Sequence, residues 1–264
     1  MVMCILLEGG QLKAFFSPSA AIMIFGGTLG ATLVSFPLQR VLQLPKIIAR
    51  CFVNDPHKGH ELVALFVTLA ERARREGLLS LEEEAGKIGD SYLKKGILLV
   101  VDGTDPEMVR SILEAEIASI GERHEAGFGM LEAMGGYSPT MGIIGTVLGL
   151  VNVLGNLKDP EHLGEAIAVA FIATLYGVAF ANLVWLPLGA KLKAKSKEEV
   201  FLRELMMEGI LSVQAGDNPR VVREKLESFL PPADRGEKNV AEEKKEHAGV
   251  ESREFAARPS ASGN

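Results

Sequence analysis

The sequence predicts an all-α fold: a polytopic helical membrane protein with a helical cytoplasmic domain. Three observations predict it. Of 264 residues, 47% are hydrophobic and 6% aromatic, and mean hydropathy is positive although 23% are charged. The apolar residues gather in three windows, 14–39, 133–157 and 166–190, that contain no Asp, Glu, Lys or Arg. Each window is about 25 residues long, and a membrane-crossing helix needs about 20. Buried core helices are usually shorter, so three such windows in one chain favour spanning helices.

Residues 1–7 are apolar but too short to cross a bilayer, and no basic residue precedes them, which argues against a signal peptide. They read as the remnant of a further, first span, so 1–17 is taken as that remnant plus an outward loop. The first complete span is placed at 18–37. Arg40, Lys46, Arg50 and Lys58 follow it, and Lys191, Lys193, Lys195 and Lys197 follow the third window. Lysine and arginine concentrate on the cytoplasmic side, so both of these sides face the cytoplasm. The loop at 158–165 carries Lys158 as its only basic residue, beside Asp159 and Glu161, and faces outward.

The cytoplasmic domain therefore covers 38–132. Asp55-Pro56 and Asp105-Pro106 each place a capping residue before a proline, a helix-start signal. Leu62, Leu65, Phe66 and Leu69 recur at helical spacing, as do Val109, Ile112, Leu113, Ile117 and Ile120, a pattern that runs on toward the second span at 133–157. The run 97–101 is read as helix. After the third span, 166–190, the cytoplasmic residues 191–230 carry short helices at 200–209 and 219–230. The segment 231–264 is rich in Pro, Ala, Gly and Ser with balanced charges and reads as a disordered tail.

Several function classes are excluded by composition. A net charge of −6 argues against nucleic acid as a partner. Cys4 and Cys51 have no metal or redox spacing and read as free thiols. His57 and His60 lie three apart without the acids or thiols that would complete a metal site, so they read as surface histidines. No nucleophile–base constellation stands out, so no enzyme activity and no cofactor are expected.

Within the windows the polar groups are hydroxyls and amides: Thr28, Thr32, Thr140, Thr146, Thr174, Tyr176, Asn152 and Asn182. A threonine can satisfy its hydroxyl on its own helix. Membrane ion carriers usually hold an Asp, Glu or His, and none lies in these windows. If the protein moves ions, another chain supplies the acid. Gly26 with Gly30, and Gly145 with Gly149, form small-xxx-small pairs that suit close helix packing within one subunit or between subunits. Pro139 and Pro187 either only shape their helices or act as hinges.

The stretch 71–84 reads ERARREGLLSLEEE. Gly77 suits a helix end, and Ser80 with Glu83 fits a capping box. Arg72, Arg74 and Arg75 then close one helix and Glu82, Glu83 and Glu84 open the next. The charges match the two helix dipoles, or form a tip that meets a partner.

These stretches resemble the MotA/PomA flagellar stator family, within the MotA/TolQ/ExbB proton channel superfamily. IFGGTLGATLVSFPL (24–38), SPTMGIIGTVLGLV (138–151) and LGEAIAVAFIATLYGVAFANLVWLPLGAKLK (163–193) are similar to that family's second, third and fourth spans. REGLLSLEEE and LEAEIASIGERHEAGFGMLE resemble its cytoplasmic block, and the match covers about residues 8–230. The resemblance implies a homo-pentameric ring in the bacterial inner membrane around a MotB/PomB-like peptidoglycan-binding subunit whose Asp takes up H+ or Na+. It implies torque on the rotor protein FliG. Carried over residue by residue, it makes Arg74 and Glu82 rotor contacts, Pro139 and Pro187 conformational couplers, and Thr146 and Thr174 linings of the ion path. Thr146 sits where sodium-driven members often carry a hydroxyl. The alternatives are a TolQ/ExbB-type energiser of envelope transport and a non-conducting membrane scaffold.

Overall fold

The computed structural model describes residues 15–53, 59–155 and 163–231. Expectations for residues 1–14, for Asp55-Pro56 and His57, for most of the 158–165 loop and for the tail beyond Pro231 lie outside the described residues. All described elements are helical: α1 (Pro18–Ser35), α2 (Leu38–Val41), α3 (Leu44–Arg50), α4 (Gly59–Glu76), a 3-10 turn (Leu78–Ser80), α5 (Leu81–Lys87), α6 (Ser91–Val101), α7 (Pro106–Gly155), α8 (Leu163–Phe180), a π-helical turn (Ala181–Trp185), α9 (Leu186–Gln214) and α10 (Pro219–Phe229). The chain divides into two units: Met1–Asn54 with Ser119–Glu198, and Asp55–Ala118 with Glu199–Asn264.

The first unit holds α1, the apolar part of α7, α8 and the start of α9. Three helices are long and apolar enough to cross a membrane: Pro18–Ser35, one within Pro106–Gly155, and one within Ala166–Gln214. Ser17 starts α1, its Oγ accepting from the Ala20 amide at 3.4 Å, and Pro18 fills the first turn, where its missing N–H costs nothing. The helix ends before Pro37, which disfavours helical backbone at Phe36. α1 packs on α8 through Ala20, Ile172 and Ala173, with the Phe25 ring edge-on to Phe180 at 4.5 Å. Apolar side chains such as Val34, Ile143 and Phe171 point away from the unit, an arrangement suited to lipid and costly in water.

The second unit has an ordinary buried core built on Phe66, Leu81, Tyr92, Leu113, Ile210 and Leu226. Leucines and phenylalanine at helical spacing put one face of α4 into it. Gly209 lets the Phe66 ring lie flat on α9: a Cβ there would stand 2.6 Å from the ring. Asp105 Oδ1 accepts from the Glu107 amide at 3.0 Å, Asp90 caps α6 through the Leu93 amide at 2.9 Å, and Asn218 caps α10.

Two expectations are corrected. Residues 200–209 are not a separate short helix. They belong to α9, which runs 29 residues, because nothing between Lys191 and Gln214 breaks a helix. Ser80 does not form a capping box. Its backbone is already helical and its hydroxyl donates to the Gly77 carbonyl at 2.7 Å, so α5 is entered through a 3-10 turn instead.

Candidate functional site

In the first unit, α7 and α8 meet along a seam of small residues. A Cβ on Gly177 would stand 2.6 Å from the Ser138 carbonyl oxygen and 3.0 Å from Gly142 Cα. A Cβ on Gly149 would meet Ala170 Cβ at 2.6 Å, and one on Gly145 would meet Ala173 Cβ at 2.8 Å. The Gly145/Gly149 pair therefore packs within the chain. Gly26 and Gly30 behave differently: among the described residues, nothing beyond their own stretch of helix lies within 4 Å of a Cβ built on either. Gly142 and Gly177, which meet backbone to backbone, are absent from the small-xxx-small pairs legible in the sequence. The signal was the longer spacing Ser138, Gly142, Gly145, Gly149, which keeps one face of a 3.6-residue helix.

Thr146 and Thr174 meet across this seam, hydroxyl to hydroxyl. Thr146 Oγ1 also lies 2.9 Å from the Ala170 carbonyl and 3.2 Å from the Gly142 carbonyl, and Thr174 Oγ1 lies 3.4 Å from the latter. Two hydroxyl protons face this set of oxygens, so acceptor capacity is left over. Such a cluster can accept a hydrogen bond from a neighbouring acid or a hydrated ion. It has no group that binds a proton near neutral pH. Among the described residues no group of three His, Cys, Asp or Glu is placed to hold a metal.

The two prolines sit in different surroundings. α7 runs through Pro139. Pro187 follows the π-helical turn, where the Leu186 amide donates to the Ala181 carbonyl. The extra residue in that turn accommodates the carbonyl that a proline ring displaces. Gly135, one turn before Pro139, receives Leu186, the neighbour of Pro187: a Cβ on Gly135 would lie 2.5 Å from Leu186 Cδ2. Ser138 Oγ is buried there without a hydrogen-bond partner among the described residues. The sequence singled out the prolines but not this contact between their surroundings.

In the second unit, Gly77 (φ +86°) ends α4 and turns the chain toward α5. The three arginines read together in the sequence separate here. Arg72 binds Glu76 at 3.0 Å, Glu83 at 3.1 Å, and Glu84. Lys87 closes the other side of Glu84 at 2.9 Å. These partners hold the Arg72 guanidinium above its ordinary range, first through Glu76. The Glu84 carboxyl is held below the usual carboxylate range, first through the hydrogen bond from Lys87. Arg74 and Glu82 are exposed, and neither makes an ion pair with a described residue. Leu79 stands 74% exposed at the tip between the two helices. The junction is latched from within, and among the described residues it leaves Arg74, Arg75 and Glu82 exposed without an ion pair.

Three helices of spanning length, two of them joined by a hydroxyl pair in the α7–α8 seam, and a charged tip on a helical unit define a helical membrane protein. The MotA/TolQ/ExbB proton channel family matches residues 84–205, and the motility protein A N-terminal family matches residues 1–77. Motility protein A of Bacillus subtilis is 38% identical over 249 residues, covering 92% of this chain and 92% of that protein. The uncharacterized protein YtxD of the same organism is 40% identical, covering 82% of this chain and 80% of that one. The flagellar MotAB stator complex from Bacillus subtilis has a chain that superposes with a TM-score of 0.83 at 38% identity, covering 88% of this chain and 92% of that one. The chain belongs to the MotA/TolQ/ExbB proton channel family.

Proposed function

We infer that this chain is a flagellar motor stator subunit, which couples ion flow across the membrane to torque on the rotor. The observation that carries this is the match to motility protein A across nearly the whole chain. The spans hold hydroxyls but no acid, so the ion-binding carboxylate comes from a MotB/PomB-type partner carrying a peptidoglycan-binding domain. That requirement agrees with the MotAB complexes to which the chain is structurally similar.

In this reading several copies, five in the family pattern, form a ring around the partner's spans in the bacterial inner membrane. Thr146 and Thr174 line the path of H+ or Na+. Protonation or ion loading of the partner's acid changes what the hydroxyl pair can bond to. The surroundings of Pro139 and Pro187 carry that change out of the membrane. Arg74 and Glu82 on the cytoplasmic unit push on FliG through complementary charge. The transported ion is cargo, and no resident cofactor takes part.

Isolation of the chain with its native partner tests this reading. A co-purifying peptidoglycan-binding protein with one intramembrane Asp is expected. A TolR/ExbD-type partner would instead make the chain an envelope energiser. Failure of any ion flux from the reconstituted pair would make it a scaffold.

A further inference from the structure

The residues that follow α1 form a surface unlike the rest of the first unit. α2, α3 and the turn after them, 38–53, carry Arg40, Lys46 and Arg50 and no carboxylate. The turn packs on the start of α9. Lys195 Nζ donates to the Arg50 carbonyl at 3.1 Å and to the Val53 carbonyl, and Cys51 Sγ lies 3.8 Å from the Leu188 carbonyl. Lys191 Nζ stands 5.1 Å from the centre of the Phe52 ring. The stretch 181–197 adds Lys191, Lys193, Lys195 and Lys197, again with no acid. Among the described residues Lys193 is paired with Glu132 at 3.3 Å, Lys191 meets the Phe52 face, and Lys195 keeps one N–H beyond its two carbonyl acceptors.

Beside these cations, large apolar side chains are bare. Leu42 is 71% exposed and Phe52 70%, and Leu38 and Val53 are exposed as well. Depth explains the combination. α1 has 18 residues and so rises about 27 Å, close to the roughly 30 Å of bilayer hydrocarbon. Leu38 begins three residues after its end, which puts this surface at the level of the lipid headgroups.

We propose that this surface is a binding site for an anionic phospholipid. The headgroup phosphate binds Lys191 and Lys195, and an acyl chain lies against Phe52 and Val53. Arg40 and Lys46 add to the attraction from the two short helices. A zwitterionic lipid offers the same acyl chain without the net charge, and a second copy of this surface would bring cations against cations. The inference rests on the three helices crossing a bilayer. It is independent of which ion is moved and of what the tip touches.

The test uses the purified complex of this chain with its partner, given phosphatidylglycerol or phosphatidylcholine of matched acyl length and followed by native mass spectrometry. Phosphatidylglycerol is expected to be retained preferentially. Lys191→Gln is expected to weaken that retention about five-fold, and Lys191→Arg to keep it. Preferential retention lost in Lys191→Gln and kept in Lys191→Arg supports the site. Equal retention of both lipids, or retention unchanged in Lys191→Gln with Lys195→Gln, overturns it. Disulfide trapping between copies at Leu42→Cys in native membranes would show a second copy covering the face and would also overturn it.

Discussion

Leu186 occupies the space that a side chain on Gly135 would need, its Cδ2 2.5 Å from where a Cβ would stand. This contact joins the turn before Pro139 to the turn that contains Pro187. A methyl group at position 135 forces Leu186 to turn away, and overpacking of this kind typically costs about 1–3 kcal/mol. Gly135→Ala is therefore expected to slow swimming while the chain stays in the membrane, as do Pro139→Ala and Pro187→Ala. Leu186→Ala should restore much of the loss in Gly135→Ala, because it removes the clash. A double-mutant comparison of swimming speed and membrane content checks this. Simple addition of the two defects would mean the contact does not couple the proline regions.

The α7–α8 seam makes a sharper demand. The obstacle to a Cβ on Gly177 is backbone, the Ser138 carbonyl at 2.6 Å, which cannot rotate aside. Gly177→Ala is expected to push the helices apart and to lower the denaturation temperature of the detergent-solubilised protein by several degrees. Gly26→Ala meets nothing within 4 Å among the described residues beyond its own helix and serves as the control. Equal loss in the two variants would contradict the assigned seam.

Thr146→Val keeps the shape of the seam but removes the hydroxyl that meets Thr174 and the Ala170 carbonyl. One such hydrogen bond is worth about 1 kcal/mol, so ion flux in reconstituted vesicles should fall about five-fold. Thr146→Ser should retain most of it. Unchanged flux in Thr146→Val would remove this pair from the ion path.

At the tip, Arg72 and Arg74 are expected to differ although only one residue separates them. Arg72→Ala opens the latch to Glu83 and Glu84, so amide exchange across 77–87 should speed up. Arg74→Glu should leave exchange unchanged and weaken torque, with partial rescue by a rotor charge reversal. Acid mimics the first variant. The Glu84 carboxyl is held below its ordinary range, so its contribution is present at neutral pH and is lost as pH falls through that depressed value. Exchange across the tip should rise in that acidic window. The Glu84 side chain is partly open to water, at 28%, so added salt should shrink the effect.

Much of this architecture was legible in the sequence because membrane helices leave a strong signal. The charge-free stretches in α1, the second half of α7 and most of α8 follow from the cost of burying charge in lipid. Gly77 was legible as a helix end because a positive φ favours glycine. The rest depends on contacts between distant segments. Leu186 on Gly135 and Thr146 on Thr174 join residues far apart in the chain, and periodicity along one helix does not reveal its partner. The separation of Arg72 from Arg74 was hidden for a related reason: all the arginines obey the same helix-end preference, and only the fold brings Glu83 and Glu84 to one of them. The capping box at Ser80 failed because a 3-10 turn supplied the hydrogen bonds that the pattern assigns to side chains.

Rotation of single flagellar motors, in cells whose own stator subunit is replaced by this chain with its partner, tests the central claim most directly. The account predicts stepwise gains in speed as units join, rotation that stops when the ion gradient is collapsed, and rotation lost when the partner's intramembrane Asp is neutralised. Rotation that persists without the gradient or without that Asp would contradict it, as would a motor that stays still with both chains present in the membrane.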